Sequence, residues 1–278
     1  MVVSSSAFCD VPALLHGQGV LTAPAHRLEG RKAFTLLELL VVIAIMLVMI
    51  GLAVPAFNSI KGAGSVTKAA YDVAGAIETA RSFAVANNTY TWLGFFEEDP
   101  TQGSGTAGTG RLVMSIVASK DGTQIADPNS SSSPSNKLDP LKLMQVGKLI
   151  KVDNVHLVNF DDGSGDGETF DKRPLPGLTP FPDKYARIGD TSPPTTAMFP
   201  FQYPVGGTTT PPAAQYTFTK MMQFNPRGES RVNITYSMRP IVEIGLQPTH
   251  GAAVDSSNKN VAAIQVTGVA GNVKIFRR

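Results

Sequence analysis

GRKAFTLLELLVVIAIMLVMIGLAVPAF, Gly30 to Phe57, decides the fold. From Leu39 to Phe57 no side chain is charged or strongly polar. As a helix this run spans roughly 28 Å, the thickness of a bilayer's hydrocarbon core. A cleaved secretory signal has a shorter apolar region, roughly 7–15 residues, with small residues at the cut. Here the run continues into Asn58 and Ser59 without such a site. The stretch reads as a transmembrane anchor, and a buried core helix is the alternative. Arg27, Arg31 and Lys32 crowd its amino-terminal flank, whereas Lys61 and Lys68 lie more widely spread beyond the other end. The positive-inside rule then places the amino terminus in the cytoplasm and the bulk of the chain outside.

Glu38 is the one acid in this setting. An intramembrane carboxylate costs a few kcal/mol unless paired, and it marks a functional site by default. No base follows it until Lys61, and Lys32 lies off the i,i+3/i+4 spacing at which helix neighbours meet. One candidate partner is a free α-amino group. A cut just before Phe34 would place an amine four residues from Glu38, within reach of the carboxylate of its own or an adjacent subunit.

The segment RKAFTLLELLVVIAI resembles the processing site of type IV prepilins and type II secretion pseudopilins. In that family a basic leader ends at a small residue, and a membrane peptidase cuts there and methylates the new terminus. The resemblance implies cleavage between Ala33 and Phe34, N-methylation of Phe34, Thr35 as second mature residue and Glu38 as the fifth. Ala33 departs from the commonest residue, glycine, but stays small. The resemblance further implies that Glu38 pairs with the terminal amine of a neighbouring subunit, neutralising two charges in a low-dielectric bundle and fixing axial register. It implies as partners other pilin or pseudopilin subunits, the prepilin peptidase/methylase and the inner membrane. The chain would be single-pass there, with its head extracytoplasmic, before entering a filament.

Outward from this stretch, residues 1–33 read as a leader, long for a prepilin. The lone cysteine, Cys9, falls inside it, so the mature chain has no disulfide and no Cys-rich metal site. His16 and His26 leave with it. The whole chain of 278 residues carries a net charge of +2, which argues against a dedicated nucleic-acid binder.

Residues 61–278 read as an extracytoplasmic head. Val66, Ala69, Ala70, Val73, Ile77, Ala80 and Ala84 recur at helical spacing, which predicts an amphipathic half-helix ending at Asn87-Asn88. Pro55 removes one helical hydrogen bond and predicts a kink between the two halves. Strands are expected at 89–96, 111–118, 154–160, 215–224, 231–237 and 241–247, with a closing hairpin around Ala270-Gly271-Asn272. The segments 101–110, 127–136 and the proline-rich 174–212 read as loops. MMQFNPRGESRV, IVEIGLQP and the final AIQVTGVAGNVKIFRR look like the C-terminal sheet of GspH/FimT-type minor pseudopilins. They are also similar to a prepilin-type family called Verru_Chthon cassette protein D. Residues 127–214 depart from the short minor pseudopilins and read as an insertion with mobile loops.

Catalytic patterns are scarce. GSGTAG (Gly103–Gly108) matches a dinucleotide fingerprint but precedes a strand instead of the required helix. Asp162, Ser164 and Asp166 with Gly167 copy the first half of a calcium loop, but Arg173 stands where the closing Glu is needed. Asp162 and Asp166 are thus weak cation candidates, and calcium is the one cofactor the pattern suggests. His156 and His250 have no second His or Cys nearby and read as surface or packing residues. Trp92 reads as core beneath the helix. The expected fold is α+β, a long helix packed on an antiparallel sheet. The expected function is structural, a minor pilin or pseudopilin. An anchored binding protein or adhesin is the alternative, and an anchored hydrolase, lacking a nucleophile–base motif, is the third.

Overall fold

The structure is a computed structural model that describes residues 34–124, 138–160, 170–174, 187–189, 200–206, 212–232 and 238–278. Of residues 52–63 it describes the helical backbone alone. The chain divides into two units, Met1–Gly51 and Leu52–Arg278. Helix α1 runs Leu36–Ala86. In the first unit the described residues are its opening turns and the two residues before them.

The second unit is an antiparallel sheet with a helix on one face. Its strands are β1 (Thr91–Glu98), β2 (Gly110–Ser119), β3 (Leu143–Val158), β4 (Arg187–Ile188), β5 (Phe201–Tyr203) and β6 (Tyr216–Phe218), then β7 (Lys220–Phe224), β8 (Ser230–Val232), β9 (Ile241–His250), β10 (Ala253–Val254), β11 (Ala262–Thr267) and β12 (Val273–Arg277). The main sheet has the order β12-β11-β9-β3-β2-β1-β7-β8, with β10 antiparallel and β4 parallel to β9. Strands β5 and β6 form a separate antiparallel pair.

Alternation along the strands sorts two cores. Leu93, Phe95, Leu112, Met114, Met222 and Ile264 share a cluster with Val66, Ala69, Ala70, Val73, Ile77 and Ala80 of α1. The small alanines let the helix backbone sit close to the sheet, while Val66, Val73 and Ile77 supply bulk. Full burial of each of these three stabilises by about 1.5–3 kcal/mol. The opposite face holds Trp92, Val113, Val117, Leu143, Phe201, Tyr216 and Phe218. There the β5–β6 pair covers the sheet, with the rings of Phe201 and Phe218 stacked at 4.9 Å. Gly94 makes room for it, since a Cβ at that position would lie 2.7 Å from both phenylalanines. With both faces covered, β1 and β2 read as nearly unbroken apolar runs.

The end of α1 follows the sequence closely. Asn88 takes a left-handed φ of 49°. Its N–H donates to Val85 O at 3.4 Å and that of Thr89 to Ala84 O at 3.0 Å. These two bonds form a Schellman motif with asparagine in the usual glycine place. The closing hairpin joins β11 to β12 around Gly271, whose φ is 64°. The turn Asn225–Glu229 is held by the Asn225 side chain, which accepts the N–H groups of Arg227 (2.9 Å) and Glu229 (3.0 Å).

Several expectations need correction. Residues 215–224 are not one strand. The chain breaks at Thr219, giving β6 to the small pair and β7 to the main sheet. Trp92 is fully buried, but against the β5–β6 face and not under the helix. The strand expected at 154–160 begins far earlier, at Leu143, and lies between β2 and β9. That part of 127–214 is therefore an interior strand of the sheet. Of the strand expected at 231–237, Arg231 and Val232 fall in β8, and 233–237 lie outside the described residues.

Candidate functional site: the amino-terminal segment

Phe34 and Thr35 lie outside the helix, which opens at Leu36. The Glu38 N–H donates to Thr35 Oγ1 at 3.2 Å, and the Leu39 N–H to Thr35 O at 3.2 Å. Thr35 is thus the N-cap, satisfying one of the helix's orphan donors. Glu38 occupies the third helical position, so Thr35-Leu36-Leu37-Glu38 has the Thr-x-x-Glu form of a capping box. The sequence itself carries that signal. A carboxylate in the first turn is also favoured by the positive end of the helix dipole.

The apolar side chains of this segment are turned out on every side. Phe34 is 79% exposed and Leu36 81%, and Leu39, Ile43, Leu47 and Ile50 are all exposed. A contiguous apolar surface on this scale marks a protein or membrane contact. Among the described residues, no helix is long and apolar enough to cross a membrane. The side chains of the run's second half, Pro55 included, lie outside those residues. So do Cys9, His16, His26, Ala33, Asp162 and Asp166. The cut site is therefore described on its Phe34 side alone, and the weak cation candidates are not described.

The remaining candidates fall apart in the head. Gly103–Gly108 forms turns leading into β2. The Gly105 N–H donates to Glu98 Oε1 at 2.8 Å, so this loop cradles a carboxylate of its own chain. His156 is not a bare surface residue, because its Nδ1 lies 2.6 Å from Glu97 Oε1. His250 Nε2 stands 3.6 Å from Asp255 Oδ2 on the surface. Among the described residues no group of three His, Cys, Asp or Glu side chains could hold a metal.

What the sequence did not reveal is a set of buried polar clusters. Glu98 is buried, and besides Gly105 it meets Tyr216 Oη (3.0 Å), Arg111 Nη1 (3.2 Å) and Lys151 Nζ (3.7 Å). Arg111 also pairs with Asp153. Burial alone would raise the Glu98 pKa, but these donors and charges together hold it below its ordinary value. Glu97 is held down in the same way: its burial is outweighed by His156, the Leu157 N–H and Lys220. Glu243 takes two bonds from Arg173, 2.7 and 3.3 Å, and one from Gln265 at 2.8 Å. The Arg173 guanidinium lies 4.5 Å from the Phe170 ring centre. Each carboxylate is satisfied by structural partners, so these clusters fasten elements together.

Comparison with known proteins bears on the amino-terminal segment. Residues 30–54 match the family model of the prokaryotic N-terminal methylation motif. The chain therefore carries the amino-terminal signal of a type IV pilin-like or pseudopilin-like substrate of a prepilin peptidase. No curated protein and no solved structure matches the chain. The likeness of the last strands to GspH/FimT-type minor pseudopilins is not among these findings.

Proposed function

We propose, from the methylation motif at residues 30–54, that this chain is a structural subunit, a minor pilin or pseudopilin of a type IV pilus or type II secretion-like filament. The precursor is held in the inner membrane by the apolar run Leu39–Phe57, with leader inside and head outside. The peptidase removes residues 1–33 and Phe34 becomes the methylated first residue. The mature subunit then packs its apolar segment against those of other subunits, and Glu38 meets the Phe34 amine of a neighbour.

The observation that carries this reading is the coincidence of the motif with the opening segment of α1, whose large apolar side chains from Leu36 to Ile50 are exposed. Such a surface needs a lipid or helical surround, and the motif belongs to chains that use both in turn. The head contributes a covered sheet and buried, fully paired carboxylates, which suits a rigid structural domain. Mass spectrometry of the mature amino terminus tests the proposal. The expected species begins with N-methylated Phe34. A membrane-bound chain that retains Cys9, or that begins elsewhere, would sink it.

A further inference from the structure

We infer that Thr35 is a positioning residue for processing: its N-cap holds the start of α1 at Leu36 and keeps the Phe34 side of the scissile bond out of the helix. The inference rests on the processing reading above. Its observations are the Glu38 N–H···Thr35 Oγ1 bond at 3.2 Å, the Leu39 N–H···Thr35 O bond at 3.2 Å, and the non-helical, exposed Phe34.

The sequence explains why a stop is needed there. Arg31, Lys32 and Ala33 are all good helix formers, and the first strong breaker upstream is Gly30. By propensity alone, α1 could wind back through the cut site. Once a peptide bond is inside a helix, its N–H and C=O become committed to intrahelical bonds and its flanks are crowded by neighbouring turns. A protease must then pay for local unwinding before it can engage the backbone as an extended segment. An N-cap residue adopts non-helical dihedrals, so the cap marks where the helix begins. With Thr35 as cap, the bond between Ala33 and Phe34 falls two residues upstream of the first helical residue. The peptidase adds water across that amide, leaving the carboxylate on Ala33 and the amine on Phe34.

Replacement of the side-chain acceptor tests this without changing shape. Thr35→Val keeps the β-branched form and removes the oxygen, whereas Thr35→Ser and Thr35→Asn each supply an N-cap acceptor. The full precursor is produced with a prepilin peptidase, and its conversion to the Phe34 form is followed by pulse–chase and mass spectrometry. Loss of a threonine cap shifts a helix-start equilibrium by about fivefold. Thr35→Val is therefore expected to be cut about fivefold more slowly, with Ser and Asn restoring the rate. Restoration by Asn matters, because it caps without a hydroxyl. If Ser restores cutting and Asn does not, the peptidase reads the hydroxyl directly and the capping account is overturned. Equal rates for Val and wild type overturn it as well. In both cases wild-type cleavage at Phe34 leaves the processing reading standing. A wild-type chain left uncut overturns that reading, and this inference with it.

Discussion

Two demands meet at Glu38. It is the third residue of α1, where a carboxylate suits both a capping box and the helix dipole, and it is the one acid of an apolar segment. Glutamine also serves at this capping position, so Glu38→Gln separates the two demands by keeping the cap and removing the charge. If the charge serves assembly, the variant should insert and be cleaved normally, yet be at least about tenfold depleted from sheared filaments. That figure follows from the roughly 2–5 kcal/mol typical of breaking a buried charge pair. Incorporation equal to wild type would remove the pairing role. In the head, Glu243 makes a comparable case. Glu243→Gln leaves the Arg173 guanidinium buried without its counter-charge, and urea unfolding should show a loss of about 3–5 kcal/mol. The amino-terminal residues were legible because their chemistry is local: a basic flank, a small residue, Phe-Thr and an acid in fixed order. Glu98 and Glu243 were not, because their partners arrive from strands far along the chain.

Among the elements, those closed by local bonds were the readable ones. The Asn87-Asn88 stop became the Schellman end of α1, and Ala270-Gly271-Asn272 became the turn between β11 and β12. The first part of β3, residues 143–153, was not legible because Gly147, Lys148 and Lys151 interrupt its apolar pattern, and because its partners β2 and β9 lie on either side of it in sequence. The split at Thr219 has no turn residue to announce it. Apolar residues occupy both sides of β1, so alternation gives no parity from which to place Trp92. Two outcomes follow at this scale. Deleting Leu143–Val158 should abolish cooperative unfolding of the head, since β2 and β9 would lose their shared neighbour; a retained sigmoidal melt would show β3 to be dispensable. Gly94→Ala should cost about 1–3 kcal/mol by driving a methyl group into Phe201 and Phe218, read as a lower urea midpoint at unchanged slope.

For the whole molecule, a chain beginning at Ser65 should be folded and monomeric, with both helix and antiparallel strand in its circular dichroism. The helix residues that cover the sheet start at Val66, and the exposed apolar segment is absent. A random-coil spectrum would mean that the head needs more of α1. Its pH response should be one-sided. Glu97 and Glu98 are held below their ordinary value of 4.5, so the folded state binds fewer protons than the unfolded one as pH falls through that region. Stability from both groups is fully present above about pH 4.5 and is lost below it. The thermal midpoint should fall on acidification below about pH 4.5, with a shallower acid limb in Glu98→Gln. The position of β1 carries one more consequence. Its neighbour on one side, β2, follows it directly in the chain, but on the other side Thr91–Phe95 pairs with Lys220–Phe224. The sheet cannot be completed until most of the head has been made, so its contact order is high and refolding belongs in the range of milliseconds to seconds. Synthesis in chain order therefore leaves β1 with an unpaired edge until β7 arrives. An unpaired strand edge of this kind is prone to aggregate until it is covered.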